Sequence, residues 1–145
     1  MKSINTWIVL ADAQTVRIAI NEGPRKGIYG HSTQGLQAPP VTELSDAPGM
    51  TAAAAGPNRG GISDPDLKGQ AAHAFATQIT RYLEANLAAG AYQRLILIAP
   101  ATMLGLLRKA LTPALREVVL GDISKNLTHL PLDDLPKHLE DILVV

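Results

Sequence analysis

The hydrophobic periods along the chain predict a single mixed α/β domain over residues 1–145, with elements in the order βββαβαβα. Three observations carry that reading. They are period-two patterning before residue 31, an apolar residue at every fourth position from Leu67 to Leu87, and the unbroken aliphatic run Leu95-Ile96-Leu97-Ile98-Ala99. Thr6 to Ala11 is β-rich and mostly apolar, as a strand covered on both faces requires. Asp12-Ala13-Gln14 turns the chain, and Val16, Ile18 and Ile20 then alternate with Arg17 and Ala19 in a hairpin partner. After the Asn21-Glu22-Gly23-Pro24 turn, Ile28 to His31 supplies a shorter third strand and completes an antiparallel meander.

From Ser32 to Asp66 the periodicity disappears and Gly, Pro, Ser, Ala and Asn replace most aliphatics, which predicts a long flexible loop, 32–66, or a functional flap. Ala52 to Gly61 is its most mobile part on composition. Ser63, Asp64 and Asp66 offer caps for a helix whose stripe, Leu67, Ala71, Phe75, Ile79, Leu83 and Leu87, packs on the sheet. Gly90 is its natural stop. The aliphatic run at 95–99 reads as a central parallel strand closed by Pro100. Leu104, Leu107 and Leu111 mark a short helix with Arg108 and Lys109 on its other side, and Pro113 to Leu120 reads as a second helical piece broken by Gly121. Ile123 and Leu127 are assigned to a polar edge strand. Asp133 or Asp134 caps a final helix with Pro136 in its first turn and Leu135, Leu139, Ile142 and Leu143 as its buried stripe. A meander followed by αβαβα units implies a sheet that is antiparallel in its first half and parallel in its second, the ribonuclease-H-like arrangement with helices on its faces.

Composition narrows the function classes. In 145 residues, 13 Lys+Arg balance 13 Asp+Glu, so no overall field steers the chain toward phosphates. With 46% hydrophobic and 18% charged residues it has the makings of a real core, which excludes global disorder. The absence of cysteine removes disulfides, thiolate zinc sites, iron–sulfur clusters and Cys nucleophiles, and fits a reducing compartment. No run approaches the roughly 18 apolar residues that span a bilayer. The Trp7 to Ala11 run is ended by Asp12 before it reaches the length of a signal segment, so the expectation is a cytoplasmic protein with no membrane partner.

Catalytic patterns are thin. Asp12 closes the first strand, where two-metal nucleases of this topology place one carboxylate, but a second and third acid must converge on it. The strand ending in Ala99-Pro100 offers none, and Glu84 lies too far along its helix. A turn-forming Asp is the stronger reading. His31, His73, His129 and His138 lack ligand spacing and read as surface or locally hydrogen-bonded histidines. Ser32, Ser45 and Ser63 lack a nucleophile elbow, and Gly60-Gly61 is followed by no Walker lysine. No catalytic residue, metal or cofactor is therefore assigned. Arg17, Arg108 and Lys109 are candidates for a small docking patch for an anionic partner, with Asp46 pairing Arg17 or Arg108 if the loop folds over the sheet. Against this stands the plainer reading of solvated cations with snorkelling stems.

Several stretches together resemble the host attachment family, described as proteins required for attachment to host cells. They are Thr6 to Asp12 with Val16-Arg17-Ile18, Glu22-Gly23-Pro24 with Lys26-Gly27, and Leu44-Ser45-Asp46 with Pro48-Gly49. The C-terminal half adds Leu95 to Pro100, Leu104 to Leu111, and Leu127-Thr128-His129-Leu130-Pro131 ahead of Leu135-Pro136. The resemblance departs from the family pattern at Met50, where an Arg is expected, at Asn126, where an acid usually stands, and at Asp66-Leu67, where a His is common. That family is similar in fold to the middle domain of archaeal and eukaryotic peptide-chain release factors, but Gly60-Gly61-Ile62 is not the Gly-Gly-Gln of peptide release. The family description suggests a surface adhesin, but the lack of an export signal argues that any effect on attachment is indirect. With no catalytic constellation visible, the expectation is a non-enzymatic binding or adaptor protein linked to bacterial attachment, acting from the cytoplasm on a protein or ribonucleoprotein partner such as the ribosome. Two alternatives stay open: a hydrolase or metal-dependent nuclease whose site is assembled by the 32–66 loop, and a surface-located adhesion factor.

Overall fold

In a computed structural model the described residues are 4–31 and 57–143, with backbone course alone for 57–68. The architecture is a mixed α/β fold. Strands β1 (Thr6–Ala11), β2 (Val16–Asn21) and β3 (Tyr29–His31) form the meander. Helix α1 (Pro57–Ala88) leads to β4 (Arg94–Ala99), followed by α2 (Ala101–Ala110), α3 (Pro113–Val118) and β5 (Val119–Ser124). A 3₁₀ turn, Leu132–Asp134, and a short α4, Pro136–Leu139, end the described chain. The five strands make one sheet in the order β3-β2-β1-β4-β5, antiparallel across β3, β2 and β1 and parallel across β1, β4 and β5.

The two faces of the sheet follow directly from the period of two. Trp7, Val9, Ala11, Ile18, Leu95 and Leu97 point to one side and meet Phe75, Ile79 and Leu83 of α1 and Leu104 and Leu107 of α2. Ile8, Leu10, Ala19, Ile96 and Ile98 point to the other and are covered by Leu135 and Leu139, with Leu127, Leu130 and Ile142 packed beside them. Every residue of β1 is buried, which is why that strand reads as an almost continuous apolar run. The stripe predicted for α1 is the buried one: Ala71, Phe75, Ile79 and Leu83 have at most 4% exposure. At its end Gly90, at φ +80°, donates to the Leu87 carbonyl while Ala91 donates to that of Asn86, the paired bonds that close a helix on a left-handed residue.

Four boundaries differ from expectation. Helix α1 starts at Pro57, so residues 57–66 of the expected loop are helical, and Ser63, Asp64 and Asp66 lie inside the helix rather than capping it. Proline's fixed φ and missing N–H suit a first helical turn, so Pro57 is a start signal that outweighs the acidic cluster downstream. Residues 32–56, with Asp46 among them, lie outside the described residues. Gly121 does not break a helix; it sits within β5, which begins at Val119, and Leu127 falls beyond that strand. The glycine is there for close approach, since a Cβ at 121 would stand 3.3 Å from Ile142 Cδ1. Neither Asp133 nor Asp134 caps α4. Leu135 holds that position with no side-chain hydrogen bond, and both aspartates belong to the preceding 3₁₀ turn.

Candidate functional site

The carboxyl ends of the parallel strands gather three segments far apart in sequence. Asp12 leaves β1 with Oδ1 accepting the N–H groups of Gln14 (2.8 Å) and Thr15 (2.7 Å), which fixes the β1–β2 turn. Its Oδ2 accepts the Thr128 hydroxyl at 3.2 Å, and that hydroxyl also stands 2.7 Å from Asn126 Oδ1. A hydroxyl has one proton, so the two acceptors share it. Thr128 is 1% exposed, and its N–H also donates to Asn126. From β2, Arg17 donates through one nitrogen to the carbonyls of Thr128 (2.9 Å) and Leu130 (2.7 Å). Asp12 and Arg17 thus fasten the segment after β5 from two neighbouring strands. Partial burial pushes the Asp12 carboxyl up, but bonds from Gln14, Thr15, Thr128 and Asn126 outweigh it and hold the group below its ordinary value. It is an ionised acceptor.

Beside this network lies a cleft of about 340 Å³ bordered by Asp12, Gln14, Ala72, Pro100, Thr102 and Met103. Helix α2 opens onto it without a capping side chain. Among the described residues no group of three or more His, Asp or Glu could hold an ion. The bonds that Asp12 accepts make it the keystone of a turn and an anchor for Thr128.

The three candidate cations are not brought together. Arg17 pairs in register with Leu10, on the face covered by the C-terminal segment. Arg108 lies on α2, which packs on the opposite face, and clasps Asp122 of β5 in a fork, Nε to Oδ2 at 3.0 Å and a terminal nitrogen to Oδ1 at 2.6 Å. The Asp122 carboxylate raises the Arg108 guanidinium above its ordinary value. Lys109, one residue on, turns instead to a groove of about 410 Å³ between α1 and α2, where it meets His73, Thr77, Arg81, Glu84 and Leu106. Neither Lys109 nor Arg81 has an ion pair among the described residues. Thr77 and Thr80, which border the groove, donate their hydroxyls to helix carbonyls, His73 at 3.1 Å and Thr77 at 3.0 Å, and Thr80 is 4% exposed.

Arg81 and His73 were not singled out as a site by sequence, although the signal exists. His73, Thr77, Arg81 and Glu84 recur at helical spacing on the polar flank of the α1 stripe, and the stripe itself absorbed the reading. His31 has a different fate. Its ring packs 4.5 Å from Trp7, and its Nε2 stands 2.8 Å from the Tyr82 hydroxyl. With Tyr92 stacked 4.6 Å from the same indole, His31 belongs to an aromatic cluster remote from Asp12. His129 is exposed and His138 is half-buried.

Fold and site together define an α/β domain in which a polar network locks its own C-terminal segment and an open, cation-lined groove lies on the helical layer. The chain belongs to the family described as "Protein required for attachment to host cells", whose model matches residues 7–139. That membership points to a role in attachment to host cells. No curated protein matches the chain. Among the described residues, no helix is long and apolar enough to cross a membrane.

Proposed function

We propose that the chain serves attachment to host cells as a non-enzymatic binding module that docks an anionic partner in the groove between α1 and α2. The observation that carries this reading is the pair Arg81 and Lys109, which face the groove with no carboxylate clasping either of them among the described residues. Of the other cations that the sequence offered as candidates, Arg17 is taken up by two carbonyls and Arg108 by Asp122. The docking patch therefore consists of Lys109 with Arg81, while Arg17 and Arg108 are structural. An exposed ion pair contributes little, so Arg81 and Lys109 lose little stability by waiting for a partner.

On this reading the module acts from the cytoplasm and its effect on attachment is indirect. The translation apparatus is the favoured partner, by analogy with the release-factor middle domain. What supports the analogy is the strand order β3-β2-β1-β4-β5, an antiparallel meander extended by parallel strands, as the ribonuclease-H-like reading expects. The test is sedimentation of native lysate through sucrose at low and high salt, comparing the wild type with a double variant, Arg81→Glu and Lys109→Glu. The proposal expects salt-sensitive migration with a large particle, abolished in the variant. Migration of both proteins as free species under both conditions contradicts it. Labelling of intact cells with an impermeant reagent addresses the location separately, and surface exposure of the chain would overturn the cytoplasmic part.

A further inference from the structure

We infer that the occupant of this groove is an acidic, amphipathic helix of about three turns, a polypeptide rather than a nucleic acid. The inference rests on the docking reading above and names the partner's chemistry. The α1 wall runs from His73 to Glu84, a separation of eleven positions that at about 1.5 Å each gives a trough roughly 16 Å long, the length of a three-turn helix. The opposite wall is Leu106, Lys109 and Ala110 of α2, closed by Thr112 at the start of α3. Leu106 and Ala110 are half-buried and give the trough an apolar patch between charged rims. A third helix laid between two packed helices buries its own apolar stripe on such a patch.

The charges set the orientation as well as the class. Arg81 and Lys109 stand on opposite walls, so a helix with acids flanking its apolar stripe meets one cation on each side. Glu84 marks one end of the trough, where it opposes phosphate and favours the positive N-terminal end of a docked helix. RNA is disfavoured for a second reason. Sequence-tolerant binding of single strands favours large aromatic faces for base stacking, and among the described residues no Phe, Tyr or Trp lines the groove, where His73 is the one ring.

The experiment titrates the isotope-labelled full chain with a designed twelve-residue helical peptide bearing Leu at positions i, i+3, i+4 and i+7 and Glu on both flanks. The expected result is a set of amide shift changes confined to 73–84 and 106–112. The double variant Arg81→Glu, Lys109→Glu binds about tenfold or more weakly, and a peptide with Lys in place of the flanking Glu restores its affinity. Shift changes elsewhere on the molecule, or none, overturn the inference. A twelve-nucleotide RNA that binds the groove when the peptide does not also overturns it, while leaving anionic docking intact. Loss of lysate co-sedimentation with an intact peptide response would overturn the docking reading instead, so the two failures are distinguishable.

Discussion

Asp12 gathers the N–H groups of Gln14 and Thr15 and the Thr128 hydroxyl on one carboxylate, and its two nearest substitutions separate charge from hydrogen bonding. Asp12→Ala removes every acceptor and leaves the N–H groups of Gln14 and Thr15 to water, at an expected cost of about 1–3 kcal/mol by chemical denaturation. Asp12→Asn keeps one oxygen for the two N–H groups, and the Thr128 hydroxyl can turn wholly to Asn126, so the loss should be less than half as large. The pH dependence follows from the same bonds. The native carboxyl titrates below its ordinary value of 3.8, so its contribution is complete above that pH and disappears as the pH falls through the lower native value. Stability curves of wild type and Asp12→Asn should therefore converge on acidification below about pH 4. Parallel curves would show that the carboxylate's charge is irrelevant. Arg17 and Arg108 make a second contrast. Arg17→Ala frees the carbonyls of Thr128 and Leu130 and should destabilise by about 1.5–3 kcal/mol, with faster hydrogen exchange confined to the segment after β5. Arg108→Ala should leave the Tm nearly unchanged, because its guanidinium lies in solvent.

At the scale of elements, what was legible is what period and burial decide together. β1 and β4 read as buried strands because their apolar runs are continuous, and the α1 stripe read as a helix because apolar residues recur at the helical period. What was not legible is where glycine and proline act for reasons other than punctuation. Gly90 and Gly121 look alike in sequence, yet one supplies a left-handed φ and the other a missing Cβ. Gly90→Ala should cost about 1 kcal/mol, measured by thermal or urea unfolding, because the substituted residue must adopt φ +80° to keep the closing bonds to Leu87 and Asn86. A loss near zero would mean that the end of α1 rearranges freely. The four residues of α4 could not be sized from its stripe, since Leu135, Leu139 and Ile142 are equally well buried by a 3₁₀ turn and a short helix.

For the whole molecule, the site divided along the sheet. Sequence placed Arg17, Arg108 and Lys109 in one patch because it carries no record of which face each residue occupies across strands and helices of different period. The register puts Arg17 opposite Leu10 on one face, and the packing of α2 puts Arg108 and Lys109 over the other. Asp12 and the Leu127-Thr128 stretch were each visible as sequence features, but only the fold joins them across 116 residues into one network. The groove is a property of two helices side by side, and of its residues only Lys109 stood out in the sequence as a candidate.

The central claim, that this groove links the chain to attachment, is tested most directly by complementation. A strain lacking the chain is supplied with the wild type, the Arg81→Glu, Lys109→Glu variant or the Arg108→Ala control, and adherent bacteria are counted on host cells at matched protein levels. The account predicts that wild type and Arg108→Ala restore attachment equally, while the groove variant, with an unchanged melting temperature, does not. Full restoration by the folded groove variant would contradict it.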